Sequence, residues 1–389
     1  MGGVDMKIAI VTSGGAGRDG IHGAVPCLLW LIERLVQAGD EVHVFIFQQE
    51  PVAGTWPLRG ATIHNAGNRS PRLGMLRQIL AEHGRGGFDV IHSLWSPWAE
   101  AIAALAGWRT RVPVLLYFAN YELVGLPDVK YGDQLSRTSR LLLWWALVRA
   151  GSVGGQSDPV VRLLAEKGQA ALRLPLGVAL NEWPVLAPRR RAPAAPARLL
   201  HVAHVTPAKD HPMVLEAAAR LKAAGVAFEL DLIGLDIPGD GWLARRLAEL
   251  GLERHVRHHG FLERDAIRGF FERADLLVVT SRFEAGPLVV MEAAVAGVPT
   301  VGTKVGHLAE WAPKAARVVE PSDAGALAAT IQEVLGDEEL RLELAARAQE
   351  AATAEDADVT SRLFRDAYRA MAQKPDKASP RSPAMGAGA

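Results

Sequence analysis

The sequence predicts an α/β protein built as two doubly wound, Rossmann-like domains. Three observations predict it. The chain opens as strand, glycine-rich loop, amphipathic helix and strand, the unit from which parallel sheets are wound. A Pro- and Arg-rich segment, PVLAPRRRAPAAP, breaks the pattern near the middle and can hold no regular element. Beyond it the alternation of apolar runs and helical segments starts again. The 389 residues suffice for two ordinary domains.

In the first half, Lys7 to Thr12 is an apolar strand and Ser13 to Gly23 the glycine-rich loop. Ala24 to Ala38 has helical periodicity and stops at Gly39-Asp40; Glu41 to Phe47 is the next strand. Strands are expected at Phe88 to His92, Val112 to Phe118 and Gly151 to Gln156, with helices at about Trp98 to Ala106 and at Ser136 to Arg149. The latter helix is Arg-flanked and Trp-bearing. Apolar residues on most of its sides favour packing against the sheet; the alternative is a membrane-surface helix. His92 after its strand reads as core, with an acceptor-side position as the alternative. Leu174 to Trp183 closes the half. In the second half, strands are expected at Arg198 to Val205, Phe228 to Gly234, Val256 to Phe261, Leu276 to Val279, Thr300 to Thr303 and Ala316 to Glu320. Helices are expected at Met213 to Ala223, Trp242 to Glu249, Arg264 to Arg273, Pro287 to Val295, Ala324 to Leu335, Glu338 to Thr353 and Asp358 to Ala372. The expected division is a first domain over 1–183, a solvated linker over 184–197, a second domain over 198–354, a last helix over 355–372 and a disordered tail over 373–389.

Lys+Arg and Asp+Glu are both 43, so no global field directs the protein to nucleic acid. Cys27 is the only cysteine, which excludes a disulfide framework and suits a reducing cytoplasm. Met1 to Lys7 shows no secretory signal, and no apolar run reaches transmembrane length. The expected location is the cytoplasm, with peripheral membrane contact as an option. No group of residues has metal-ligand spacing, and no Ser or Cys triad suggests a protein nucleophile. Neither a metal nor another cofactor is expected.

Gly15-Ala16-Gly17-Arg18-Asp19-Gly20 spells G-x-G-x-x-G after a strand. A dinucleotide site would put Glu50 on a ribose hydroxyl. The loop runs on to Gly23, however, and Glu50 lies beyond the roughly 20 residues that the fingerprint sets for its acid. A flexible loop near a phosphate, with Gly15 and Gly17 allowing close backbone approach, is the preferred expectation. His22 of this loop is a candidate on the acceptor side.

The second half carries the more specific chemistry. VAHVTPAKD, Val202 to Asp210, presents His204 and Lys209 just beyond a strand. Glu284 lies in the loop after Leu276 to Val279, Pro287 at the start of the next helix, and Glu292 within it. All lie at C-terminal strand ends, where open α/β sheets bind ligands. A cation and a helix N-terminus suit a diphosphate, and carboxylates suit sugar and ribose hydroxyls. The bland readings are an exposed turn lysine, a solvated loop carboxylate at Glu284 and an ion-paired or capping Glu292.

With this constellation the chain resembles the retaining glycosyltransferases of family 4 (glycosyl transferases group 1), whose GT-B fold sets two Rossmann-like domains across a cleft. The resemblance covers about Lys7 to Ala372 and is most specific in the E-x7-E motif Glu284-AGPLVVM-Glu292, followed by AVAGVPTVGTKVG and preceded by VAHVTPAKD. It implies a nucleotide-diphosphate-sugar donor, a hydroxyl acceptor and metal-independent transfer with retained configuration. Glu284 would bond the donor sugar, Glu292 the ribose and Lys209 the diphosphate. The backbone of Gly286, Pro287, Leu288 and Val289 would cap the phosphates. Gly15 and Gly17 would approach from across the cleft, and the last helix would cross back to the first domain. The chain departs from the family's pattern at Ala203-His204, where an Arg is usual, and at Ala119-Asn120, where a His is usual; Asn120 is the acceptor-side candidate there. His307 stands where paired glycines are common, and a position facing the cleft is expected for it. The rival functions are an NAD(P)-dependent Rossmann oxidoreductase and a non-catalytic nucleotide-sugar-binding protein.

Overall fold

The computed structural model describes residues 6–47, 49–192, 195–234 and 241–373. The expected tail from residue 374 on, the first five residues and residues 193–194 of the linker lie outside the described residues. The first half comprises β1 (Lys7–Thr12), α1 (Pro26–Gln37), β2 (Glu41–Ile46), β3 (Gly54–Leu58), β4 (Ala61–Asn65), α2 (Pro71–Gly86), β5 (Val90–Leu94), α3 (Pro97–Thr110), β6 (Val114–Phe118), α4 (Arg137–Arg149), β7 (Ser152–Gly155), α5 (Asp158–Glu166) and β8 (Ala171–Arg173). These strands form an eight-stranded sheet in the order β3-β4-β2-β1-β5-β6-β7-β8. Only β3 is antiparallel, to β4, and it lies at the edge, where Pro57 leaves no gap in a ladder. Helices cover both faces, so β5 and β6 are buried at every residue; β6 reads as an unbroken apolar run, and β5 carries His92 and Ser93 within the core.

The second half comprises β9 (Ala197–Val202), α6 (His211–Ala223), β10 (Phe228–Ile233), α7 (Trp242–Leu250), β11 (Val256–His258), α8 (Arg264–Arg273), β12 (Leu276–Val279), α9 (Leu288–Val295), β13 (Thr300–Thr303), α10 (Gly306–Trp311), β14 (Arg317–Val319), α11 (Ala324–Gly336), α12 (Glu338–Ala354) and α13 (Ala357–Ala372). Its six-stranded parallel sheet runs β11-β10-β9-β12-β13-β14. In both sheets the winding reverses beside the first strand, between β1 and β5 and between β9 and β12. These reversals open the crevices in which α/β folds hold ligands.

One expectation about surfaces is extended and one is corrected. The arginine run of the linker is docked as well as solvated: Arg189 and Arg190 are exposed, yet the run is bonded to its surroundings. Arg189 Nη2 donates to Ala274 O (3.0 Å) and pairs with Asp275 (3.0 Å), and Arg191 Nη2 donates to Leu335 O (2.8 Å). Carbonyls at the ends of α8 and α11 accept from these two side chains. Helix α4 is not buried on most sides. Leu143, Ala146 and Leu147 pack inward, but Leu141, Trp144 and Val148 are each more than 60% exposed, because no further layer lies over this helix.

The last helix, α13, returns to the first half. Tyr368 is hydrogen-bonded to His92 Nδ1 (2.7 Å), Phe364 stacks on His92, and Arg365 pairs with Asp40 (2.9 Å). His92 is therefore a core residue, fully buried.

Candidate active site

Lys209 and Glu284 emerge from adjacent strands at the reversal of the second sheet. Lys209 ends a 3-10 turn after β9, Glu284 lies in the loop after β12, and their side chains form an ion pair. Further hydrogen bonds knit the two loops. Thr280 Oγ1 donates to Lys209 O (2.8 Å), Arg282 N to Ala208 O (2.8 Å) and Ser281 Oγ to Glu284 Oε1 (2.6 Å). Thr303 Oγ1, on the neighbouring strand, donates to Ser281 O (2.6 Å). The Glu284 carboxylate, 9% exposed, is thus aimed by two donors. His204 is exposed on the same β9 loop.

Pro287 is the N-cap of α9, with φ −66° and ψ 115°, and not its first helical residue as the sequence suggests. The helix starts at Leu288, so the N–H groups of Leu288 and Val289 have no intrahelical acceptor, whereas Val290 N–H reaches Pro287 O (3.1 Å). The positive helix end opens beside Glu284. Glu292, on the second turn, is 9% exposed, and burial raises its carboxyl to about 7, against the pull of Arg264.

The first half grips this loop from across the cleft. The Tyr121 hydroxyl donates to Phe283 O (3.3 Å), the Ser157 hydroxyl to Ala285 O, and Gln156 Nε2 to Gly286 O (2.7 Å). A trans peptide sets each carbonyl opposite the next N–H. Drawing Ala285 O toward Ser157 therefore turns Gly286 N–H away from it. Glycine at 286 lets Gln156 and His307 pack against the loop, since a Cβ there would lie 2.6 Å from the Gln156 amide and 2.7 Å from His307 Nε2. His307 accordingly lies buried beneath the loop and does not face the open cleft. Its Nδ1 is 3.3 Å from Glu310, while Nε2 has no partner among the described residues. Against the cost of burial, hydrogen bonds with His307 and Arg173 hold the Glu310 carboxyl down at about 2. Arg282 pairs with Asp128 on the first half and with Asp210 (3.0 Å) on its own.

The glycine-rich loop is pinned rather than flexible. Gln49 accepts from Gly15 N (3.0 Å) and donates to Gly23 O (3.2 Å), and Asp19 accepts from His22 N and Ile21 N (2.9 Å each). Gly17 has no room for a side chain, a Cβ there falling 2.0 Å from His22 O. His22 is exposed at the rim, its ring centroid 6.3 Å from that of Phe261 in the second half. Asn120 is exposed on the opposite rim, its N–H bonded to Glu122 (2.9 Å). Tyr121, Gln156, Ser157 and Glu310 were not singled out by the sequence reading. The one available signal was that Gln156 and Ser157 directly follow a strand and Tyr121 lies three residues beyond another.

Among the described residues, His43, His64 and Glu82 could together hold a metal ion. They lie on β2, β4 and α2, away from the Lys209–Glu284 pair in the second half. Lys7 Nζ is 3.0 Å from Glu82 there and supplies the positive charge.

A profile of the glycosyl transferases group 1 matches residues 187–351, which contain Lys209 and both glutamates, and one of the glycosyl transferase 4-like domain matches residues 22–177. The chain belongs to the group 1 glycosyltransferases. This glycosyltransferase is 26% identical over 310 residues to a glycogen synthase of Mycobacterium tuberculosis (strain H37Rv), covering 78% of this chain and 72% of that one. It is 26% identical over 331 residues to a D-inositol 3-phosphate glycosyltransferase of Arthrobacter sp. (strain FB24), covering 72% and 73%. The sucrose-phosphate synthase of Thermosynechococcus elongatus superposes with a TM-score of 0.77 at 22% identity, over 94% of this chain and 99% of the other. Anabaena HepE in complex with UDP-glucose does so with 0.73 at 18%, over 94% and 100%. The glycosyltransferase shares the two-domain GT-B fold of these neighbours, and the dinucleotide-oxidoreductase alternative is set aside. Among its described residues no helix is long and apolar enough to cross a membrane.

Proposed function

We propose that the protein transfers a sugar, with retained configuration, from a nucleotide diphosphate to a hydroxyl acceptor in the making of a glycan, glycolipid or other glycoconjugate, working in the cytoplasm with peripheral contact to a membrane. The single observation that carries the donor assignment is the Lys209–Glu284 pair beside the open end of α9 at the sheet reversal. An ammonium has three hydrogens. One is used on Glu284, and the others serve the diphosphate. Glu284 accepts from sugar hydroxyls, Glu292 from the ribose, and the N–H groups of Gly286, Leu288 and Val289 take phosphate oxygens. Gly15 and Gly17 close on the donor from the first domain, His204 sits at its mouth, and His22 and Asn120 border the acceptor.

In the proposed reaction the acceptor oxygen attacks the anomeric carbon on the face the diphosphate leaves. The bond from that carbon to the phosphate oxygen breaks, and the acceptor proton passes to the departing diphosphate. No metal is required, because Lys209 and the helix end offset the developing charge. The protein's share is orientation and exclusion of water by the closed cleft.

A thermal-shift screen of nucleoside diphosphates identifies the base, with UDP first because solved HepE complexes hold UDP-glucose. Transfer is then measured with the matching sugars for wild type, Glu284→Gln and Lys209→Ala. Both variants are expected to lose at least about a hundredfold in kcat/KM, the cost of removing one charge-stabilising group. Wild-type rates in both would sink the assignment. Binding of donor by wild type without transfer or slow donor hydrolysis would favour a non-catalytic binding protein.

A further inference from the structure

Helix α4 is apolar on two opposite faces, and only one has a partner. On the outer face Leu141, Trp144 and Val148 are 63%, 61% and 62% exposed. Leu135, just before the helix, is 45% exposed, and Trp108 near the end of α3 is 64% exposed. Both helices run back from C-terminal to N-terminal ends between adjacent parallel strands, β5 to β6 and β6 to β7. They therefore lie side by side in one direction, which sets Trp108 toward the same end as Val148. Leu141, Trp144 and Val148, at i, i+3 and i+7, share one exposed face of α4, with Trp108 on the neighbouring helix, and such patches mark sites of interaction.

The charge around it is one-sided. Arg109 and Arg111 follow Trp108, while Arg137, Arg140 and Arg149 lie along α4, and all five are exposed. None of them forms an ion pair among the described residues, whereas Arg34, Arg173 and Arg246 elsewhere on the surface each pair with carboxylates. Arg149 instead lies over the Trp145 ring, 4.6 Å from its centroid. The sequence from Leu135 to Ser157 contains no Asp or Glu. The chain as a whole is neutral, so this basic strip is local.

We propose that the outer face of α3 and α4 docks on an anionic lipid bilayer. Trp108, Leu141, Trp144 and Val148 enter the boundary between head groups and acyl chains, where amphipathic aromatic rings are favoured. The five arginines contact lipid phosphates, and charge complementarity selects the anionic surface. The first turn of α4 directly follows the segment that carries Tyr121 and Asp128 onto the donor loop. A docked face therefore holds the cleft mouth beside the head groups. Use of a hydroxyl on a lipid head group as acceptor rests on the transferase reading; docking itself does not.

The experiment is flotation of the full chain with phosphatidylcholine vesicles and with phosphatidylcholine vesicles containing phosphatidylglycerol. Wild type is expected to float with the anionic vesicles only, and less as salt rises. Leu141→Ser combined with Trp144→Ser should abolish flotation. Arg137→Gln, Arg140→Gln and Arg149→Gln together should weaken it by about fivefold per arginine. Both variants should keep the wild-type melting temperature and nucleotide-induced shift, since the altered side chains are exposed and, among the described residues, none bonds to the donor loop. Equal flotation of wild type and variants, or none by wild type, would overturn the proposal. So would a concentration-dependent dimer of wild type, seen by sedimentation velocity and lost in Trp144→Ser, which would make the face a protein interface. Failure of transfer with intact flotation would strike the functional reading and leave docking standing.

Discussion

Gln156→Ala tests whether the grip of the first domain on the donor loop matters for the reaction. Gln156 is 4% exposed and donates to Gly286 O at 2.7 Å, so the variant leaves a carbonyl without its partner. A buried acceptor left unpaired costs about 1–3 kcal/mol. Gly286 is only half-buried, and water can reach its oxygen, which places the cost at about 1–2 kcal/mol. If the bond forms only when the domains close, the whole amount falls on the closed state. The competent fraction, and with it kcat/KM for the donor, then drops about 5- to 30-fold. Ser157→Ala should act in the same direction. The double variant should lose less than the product of the two, because both side chains hold one loop. The assay is steady-state transfer, with small-angle scattering to follow opening of the cleft. A kcat/KM within twofold of wild type, together with unchanged scattering, would show that the loop is set by its own domain and that the contact is incidental.

Two further outcomes follow from buried titratable groups. Ribose hydroxyls favour the ionised form of Glu292, whose free carboxyl sits at about 7, so donor binding should release protons and tighten about tenfold from pH 6 to 8. Calorimetry in two buffers of different ionisation enthalpy measures this, and an unaltered profile in Glu292→Gln would exclude the residue. An imidazolium at His204 on phosphate would give the opposite slope, which His204→Ala isolates. Burial lowers His92 to about 3, against about 6.5 in the unfolded chain. Its contribution to stability is complete above pH 6.5 and is lost as pH falls toward 3. Urea unfolding of wild type should lose up to about 1.4 kcal/mol more per pH unit in that window than His92→Gln, and parallel curves would refute the reading.

How much of this could be read from residues differs between the halves. In the second half β12 is a continuous apolar run and α8 has a clear helical period, and β12, α8 and β13 fall at their expected bounds. In the first half β3 and β4 were missed, because the edge hairpin contains Trp56, Pro57 and His64 in place of an aliphatic run. Helix α2 was missed because its polar and glycine residues leave only Met75 and Ile79 as buried apolar anchors. The spacing of Glu284 and Glu292 marked the proposed donor side, and the structure keeps both on one loop and helix, since a motif local in sequence stays local in space. The grip of Tyr121, Gln156 and Ser157 was invisible, because it belongs to two docked halves separated by more than 120 residues of chain. The exposure of Trp144 was missed for a related reason: composition counts apolar residues but does not say how many layers cover them.

The return of α13 decides when this protein can finish folding. The partners of His92 and Asp40 are Tyr368 and Arg365, which lie 276 and 325 residues further along. During synthesis the first domain leaves the ribosome long before these side chains exist, and it waits with His92 unpartnered and the face for Phe364 uncovered. The second domain, emerging later, is the first whose sheet and surrounding helices are all present. The order of completion is therefore the reverse of the order of translation. A ribosome that stops short of the final helix leaves both sheets but an unfinished core, exposing an apolar seam that quality-control factors can recognise.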